Sequence, residues 1–233
     1  MLGHSHSLSG AAAGAAAGEF VMHLPPAGVA TLAGFTAGMA LLPDLDSCGS
    51  SAGRCLGLIS RSVAWVIRGI SGGHRHASHS ILGAAAFTGL ALLACHFRGD
   101  WAGKAGLALL LVIAVSSALE ALHVTDGHTA DLAAIAVAAA VVWYGYGLAL
   151  IPLAVGLGCL THDAGDCLTE SGVPLLLPFS QHRFHLLPPR AAFTTGTRPE
   201  TWIVDPLLTL ALLALAVHEV MLSLPVHALV AAR

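Results

Sequence analysis

Long apolar stretches alternate with short polar segments along most of the chain. A helix needs about 20 mostly apolar residues to cross the hydrocarbon core of a bilayer, and shorter helices are tolerated at a cost in mismatch. By this measure the pattern predicts about seven membrane-embedded helices. They are Ser7–Met22, Gly28–Leu42, Ile81–Phe97, Ala105–Leu122, two helices within Leu132–Thr161 that separate around Tyr144–Pro152, and Trp202–Leu222.

The segment from about residue 50 to 72 has a different pattern. Arg54, Arg61 and Arg68 recur every seven residues, so they share one stripe of a helix whose other positions are largely apolar. This pattern predicts an amphipathic helix in the headgroup layer, with its arginines near lipid phosphates. The alternative is a helix packed on the protein surface with solvated arginines. A polar loop is expected from about residue 167 to 201.

Composition strengthens the membrane interpretation. Of the 233 residues, 56% are hydrophobic and 10% are charged, whereas a soluble domain has about 25% charged residues. The fold class predicted is therefore all-α, a polytopic membrane helix bundle forming a single domain over residues 1–233.

Ten basic residues without a polybasic run give no support for nucleic-acid binding. The five cysteines lack metal-type spacing and are interpreted as packing residues.

If the predicted helices cross in turn, every polar cluster reaches the same membrane face. That face carries His4 and His6, residues 41–46, His74 to His79, residues 123–131 and residues 159–166. Seven of the ten basic residues lie there too, so the positive-inside rule predicts that this face is cytoplasmic. We expect a multi-pass membrane protein whose polar clusters face the cytoplasm.

The polar clusters offer metal ligands. "PDLD" contributes Asp44 and Asp46 just after a helix-ending proline, and "THDAGD" places His162 and Asp166 one helical turn apart. Imidazole with carboxylate is the ligand mixture of hydrolytic zinc or manganese centres. Each cluster alone is also compatible with a helix stop or a structural hydrogen bond. Their coincidence on one face of a chain with few charges favours a functional site.

The motifs "HSLSG", "LLPDLD", "HRHASHSILG" and "LTHDAGDCLTESGVPLLLPF" also carry a family resemblance. In the order and the residue types of these motifs, the chain resembles the YdjM-like family of inner-membrane-associated metal-dependent hydrolases, some of which are LexA-regulated. The resemblance extends from His6 to Phe179. It implies a site made of His6, Asp44, Asp46, His74, His79, His162 and Asp166, with Arg75 beside them. The chain departs from the family pattern at His76, where glycine is usual, and at Ser78, where threonine is usual.

The resulting hypothesis is a metal-dependent hydrolase that cleaves a phosphoester or another ester of a lipid-like substrate at the cytoplasmic membrane surface. One or two divalent ions, zinc in preference to manganese, would be held by His6, Asp44, Asp46, His79, His162 and Asp166. Arg75 would stabilise developing negative charge, and His74 would be a ligand or the general acid.

Two other functions remain open. A divalent-metal transporter would use the same residues as an entry site, and a non-catalytic membrane protein would use them to fix helix ends. Further candidates on the same face for a supporting role around the metal are His123, Asp126, His128 and Asp131.

Overall fold

The computed structural model describes residues 1–223, and within them every named secondary-structure element is helical. This confirms the predicted all-α helix bundle. The α-helices are α1 (Gly3–Ala16), α2 (Pro26–Met39), α3 (Ser51–Arg54), α4 (Leu58–Ser71), α5 (Ile81–His96), α6 (Trp101–Ala121), α7 (Gly127–Tyr144), α8 (Ile151–Asp166) and α9 (Asp205–Ser223).

The seven predicted apolar helices correspond in order to α1, α2 and α5 through α9. Five helical segments in the described part of the chain are long and apolar enough to cross a membrane. They are Pro26–Asp46, Trp101–Ala121, Gly127–Tyr144, Leu148–Asp166 and Glu200–Met221. The sixth apolar helix, α5, is shorter, and α1 is interrupted by serine, histidine and glycine, so its sequence is less hydrophobic.

Glycines allow α2 to lie at the centre of the bundle. A Cβ atom on Gly10 of α1 would lie 2.6 Å from the backbone oxygen of Thr36. A Cβ on Gly158 of α8 would lie 2.7 Å from the backbone nitrogen of Ala40. These separations are too short for any side chain, so only glycine permits the close approach of α1 and α8 to α2. The carboxyl end of α2 is thereby held against the polar end of α8.

Helix α4 has the amphipathic character expected of the segment from about residue 50 to 72. Leu58, Trp65 and Ile70 are 81%, 74% and 82% exposed, whereas Ser60 and Ala64 are buried against the protein. The apolar face therefore points away from the bundle, as required of a helix in the headgroup layer. Its location in that layer stays a prediction.

The polar loop after α8 folds back over the start of α1. The carboxylate of Glu200 is fully buried and accepts hydrogen bonds from the backbone N–H groups of Leu2, at 2.5 Å, and Gly196, at 2.7 Å. His4 of α1 contacts Asp205 of α9 through Nε2 and Oδ2 at 2.8 Å. These contacts fix the first turn of α1 and with it the position of His6.

Candidate metal centre

Four segments bring their polar residues together at one end of the bundle. His6 comes from α1, Asp44 and Asp46 from a 3₁₀ turn (Pro43–Asp46) that follows α2, and His79 from a 3₁₀ turn (Ala77–His79) before α5. His162 and Asp166 come from the last turns of α8 and, being four residues apart, share one helix face. The resemblance implied this set, and in the structure its members are neighbours.

Two triangles of donor atoms share the edge between the Nε2 atoms of His79 and His162. Nε2 of His79 lies 3.1 Å from Nε2 of His162. Asp44 Oδ1 lies 3.7 Å from the first of these nitrogens and 3.8 Å from the second. Asp166 Oδ2 lies 3.8 Å from each. Donors bound tetrahedrally at about 2.0–2.2 Å from a zinc ion stand roughly 3.3–3.6 Å apart, so this spacing suits one ion.

The two histidines at the centre are oriented by their other ring nitrogens. Nδ1 of His162 lies 2.7 Å from the backbone oxygen of Ala40 and donates to it, which leaves the Nε2 lone pair free. Nδ1 of His79 lies 3.3 Å from Asp46 Oδ2, an arrangement in which a carboxylate orients a ligating imidazole. Both Nε2 atoms are thus directed to the same place.

Asp46 is surrounded by donors of its own. Its carboxylate accepts from His74 Nδ1 at 2.6 Å, from the Ser78 hydroxyl at 2.6 Å and from the backbone N–H of Arg75 at 3.1 Å. With His79 this makes four donors to two buried oxygens. In this conformation Asp46 holds the "HRHASH" segment in place, whereas Asp44, two residues earlier, faces the centre.

Asp166 divides its two oxygens between different partners. Oδ1 accepts a hydrogen bond from Arg75 Nη2 at 2.8 Å and lies 3.4 Å from His6 Nε2. Oδ2 is buried without a hydrogen-bond partner and faces His79 and His162. The His6 ring stacks on the His162 ring with centroids 3.7 Å apart. His6, His162 and Asp166 form one group with metal-compatible spacing, and Asp44, His74 and His79 form another.

The electrostatics of the site favour a positive charge at its centre. Burial lowers the pKa of His79, but the hydrogen bonds and negative charges of Asp44 and Asp46 outweigh burial and raise that pKa to about 10. Two carboxylates that hold a proton this firmly provide the same attraction for a metal cation. The donor set and its charge therefore fit a divalent ion.

The centre is open on one side. His79 and His162 are fully buried and Asp166 is 1% exposed, whereas Asp44 is 21% and His74 is 41% exposed. A molecule from outside therefore reaches the site along the side that carries Asp44 and His74.

Other predicted residues lie apart from the centre. Neither metal-compatible group within residues 1–223 includes His123, Asp126, His128 or Asp131. Asp131 instead accepts a hydrogen bond from Ser116 at 2.6 Å. His76, the departure from the family pattern, places Nδ1 3.1 Å from the backbone oxygen of Ser71 and closes the turn after α4.

Asp163 and Glu200 are buried acids that were missed from the sequence. Asp163 is 1% exposed, and neither of its carboxylate oxygens has a hydrogen-bond partner. Its position beside His162 in an otherwise apolar helix was a signal that could have singled it out. Glu200 follows a proline in a loop, where an acidic residue usually is solvated, so no sequence pattern indicated its burial.

Comparison with known proteins agrees with the resemblance seen in the motifs. The family model described as YdjM inner membrane protein matches residues 1–224. No curated protein and no solved structure matches the chain significantly. The match covers nearly the whole sequence and agrees with the several membrane-spanning helices, which makes this a multi-pass inner-membrane protein. The chain belongs to the YdjM inner membrane protein family.

Proposed function

We propose that the protein is a metal-dependent hydrolase that cleaves a phosphoester or another ester of a lipid-like substrate at the cytoplasmic membrane surface. The observation that carries the proposal is the convergence of His79 Nε2 and His162 Nε2, 3.1 Å apart, with carboxylate oxygens 3.7–3.8 Å from them. These are the ligand types of hydrolytic zinc and manganese centres.

Some residues of the site would bind the metal directly, and others would position those ligands. Asp44, His79, His162 and Asp166 would hold one ion, and His6, beside Asp166 Oδ1, would support that carboxylate or bind a second ion. Two imidazoles favour zinc, and manganese also suits the carboxylates. When bound, such an ion supplies Lewis acidity and lowers the pKa of water toward neutrality.

His74 is suited to be the general acid. Its Nδ1 is tied to Asp46 Oδ1 at 2.6 Å, and its side chain is 41% exposed. The ring is thus oriented by a carboxylate while its Nε2 remains able to deliver a proton to a leaving group. Arg75 is 16% exposed and donates to Asp166. We assign it first to fixing that carboxylate and second to the charge stabilisation that the sequence suggested.

Two features favour hydrolysis over the other functions. Catalytic zinc sites keep a position open to substrate, whereas structural sites are closed, and Asp44 and His74 supply that open side here. The exposed apolar face of α4 supports a lipid-like substrate, because it would hold the polar end of the bundle at the headgroup layer.

Transport remains the second candidate, on one specific observation. Glu19, in the helical turn after α1, contacts His218 of α9, so an acid–histidine pair exists at the end of the bundle opposite the metal centre. A transporter needs coordinating residues on both sides and a route between them. The two metal-compatible groups found in residues 1–223 both lie at the His79 end, which supports the hydrolase instead.

Elemental analysis of the protein purified in mild detergent tests the proposal. We expect one or two equivalents of zinc or manganese, lost in a folded His162→Ala/Asp166→Ala variant and retained in His128→Ala, whose histidine is exposed on α7. Metal-loaded protein should then hydrolyse phosphoesters, and the double variant should not. Absence of metal after reconstitution would refute the proposal, and metal uptake into proteoliposomes without hydrolysis would favour transport.

A further inference from the structure

A small cavity borders Asp44 of the proposed metal centre. It has a volume of about 200 Å³ and is lined by Gly3, Leu41, Asp44, Ser50, Ser51 and Arg54, among others. Of the donors at the centre, Asp44 is the one that borders this cavity, and the other three proposed ligands are almost completely buried. Asp44 therefore belongs both to this cavity and to the donor set of the metal centre.

Arg54 is the basic residue of this cavity. Its side chain is 57% exposed, and its Nε lies 3.7 Å from Glu120 Oε2, beyond hydrogen-bond distance. By contrast, Arg75 donates to Asp166 at 2.8 Å. An exposed guanidinium with one loose partner is able to turn toward an incoming anion, whereas Arg75 would have to break a hydrogen bond first.

We infer that this cavity is the substrate's phosphate site and that Arg54 binds the phosphate there, which makes the substrate a phosphate ester. The inference rests on the proposed hydrolase function. A guanidinium forms paired hydrogen bonds with phosphate oxygens, and the metal held beside Asp44 attracts the same group from the other side. The cavity is small, so it holds the phosphate while the remainder of the substrate extends outward.

Glu120 acts against phosphate binding at this site. It is 11% exposed, and its Oε2 has no hydrogen-bond partner although Arg54 is 3.7 Å away. A bound phosphate takes Arg54 from this carboxylate, so the two anions compete for one cation. Replacing Glu120 with glutamine removes the competitor and should strengthen phosphate binding.

Calorimetric titration of detergent-purified, manganese-loaded protein with inorganic phosphate tests the inference. We expect Arg54→Gln to weaken phosphate binding at least tenfold, Arg54→Lys to recover part of it, and Glu120→Gln to strengthen it. Arg61→Gln is the matched control, because Arg61 is exposed on the same stripe of the amphipathic segment and does not line the cavity. Equal affinity in Arg54→Gln and Arg61→Gln would overturn the inference.

Two control measurements distinguish a failure of this inference from a failure of the proposed function and from misfolding of a variant. The manganese content of each variant is measured. If the wild-type protein binds no manganese, the proposed hydrolase is refuted. The comparison of phosphate binding by wild type and Arg54→Gln, repeated without metal, still tests the phosphate site. If Arg54→Gln fails to fold because Glu120 is left buried and unpaired, Arg54→Gln/Glu120→Gln removes both charges and should still bind phosphate weakly. Dihexanoyl phosphatidic acid, titrated in parallel, identifies a lipid headgroup if it binds more tightly than inorganic phosphate and a soluble phosphate ester if it does not.

Discussion

His79 and His162 are 83 residues apart in the chain, yet their Nε2 atoms lie 3.1 Å from each other. One ring is held by Asp46 and the other by the backbone oxygen of Ala40, so both Nε2 atoms are directed to the same point before any ligand arrives. Such orientation of metal-binding imidazoles by their second nitrogen fixes the tautomer and raises affinity. The relationship makes these two histidines the core of the proposed metal centre.

His162→Ala should abolish tight metal binding. The substitution removes one of four donors and opens a cavity between α8 and the end of α2, so we expect affinity to fall by more than the roughly 100-fold reached by changes to supporting residues. Competition with a chromogenic chelator measures the loss, with His128→Ala as the control. Wild-type affinity in a His162→Ala protein of unchanged helicity would contradict the proposed site.

Asp46→Asn separates a supporting role from direct ligation. Asparagine keeps the size of the side chain but replaces one acceptor oxygen with an NH₂ group. Depending on the amide orientation, either His74 at Oδ1 or both Ser78 and His79 at Oδ2 lose their acceptor. We expect the affinity for metal to fall about 10–100-fold with unchanged stoichiometry at saturation. The exposed Asp126→Asn is the control. A loss of bound equivalents at saturating metal would instead identify Asp46 as a ligand.

The sequence predicted which polar residues would be neighbours better than how each side chain is oriented. "PDLD" presents two acids as equivalent, and both were predicted to bind metal. The 3₁₀ turn from Pro43 to Asp46 gives them different surroundings, because Asp44 faces the centre while Asp46 is enclosed by donors from the "HRHASH" segment. Which way each carboxylate turns depends on contacts between segments about 30 residues apart, and no local pattern contains that information.

The order of the helices was predictable because apolar length and breaks in polarity are local properties. The close packing of α1 and α8 on α2 was harder to predict from the sequence. Gly10 and Gly158 are two of 26 glycines, and only contacts across the bundle show that a side chain at these positions would meet the backbone of α2. Likewise, the cavity beside Arg54 arises from the approach of separate segments, whereas the sequence showed Arg54 only as part of an arginine stripe.

Metal affinity should fall as the pH decreases. Burial lowers the pKa of His79, but Asp44 and Asp46 raise it from 6.5 to about 10 in the metal-free protein. The stabilisation from this charged pairing is therefore complete below about pH 6.5 and is lost as the pH rises through 10. Between these values a metal must displace the proton, so affinity should change about tenfold per pH unit.

Calorimetry in buffers of different ionisation enthalpy measures this displacement. About one proton should be released per ion bound at neutral pH, and the released fraction should decline toward pH 10. A binding enthalpy that is the same in every buffer would show that His79 does not carry the displaced proton. His128→Ala again serves as the control, because its exposed side chain should leave the proton count unchanged.

Glu200→Gln should destabilise the protein. Both Glu200 oxygens accept backbone hydrogen bonds, from Leu2 and Gly196, and the amide NH₂ of glutamine would face one of these donors. A buried donor left without an acceptor costs about 1–3 kcal/mol, which corresponds to a decrease of roughly 2–12 °C in the unfolding midpoint for a chain of this size. Glu170→Gln, in an exposed part of the same loop, should change little. An unchanged midpoint in Glu200→Gln would show that the loop does not anchor α1.

Cys48 reports which side of the membrane carries the metal centre. It is exposed and lies two residues after Asp46, whereas Cys55, Cys159 and Cys167 are buried and Cys95 is half-buried in α5. An impermeant maleimide should therefore label Cys48 alone, and Cys48→Ser should abolish the labelling. Because the basic residues predict that this face is cytoplasmic, labelling is expected in inverted membrane vesicles and not in intact spheroplasts. Labelling of spheroplasts would place the centre on the periplasmic side, and the proposed substrate would then have to be presented from the outer leaflet.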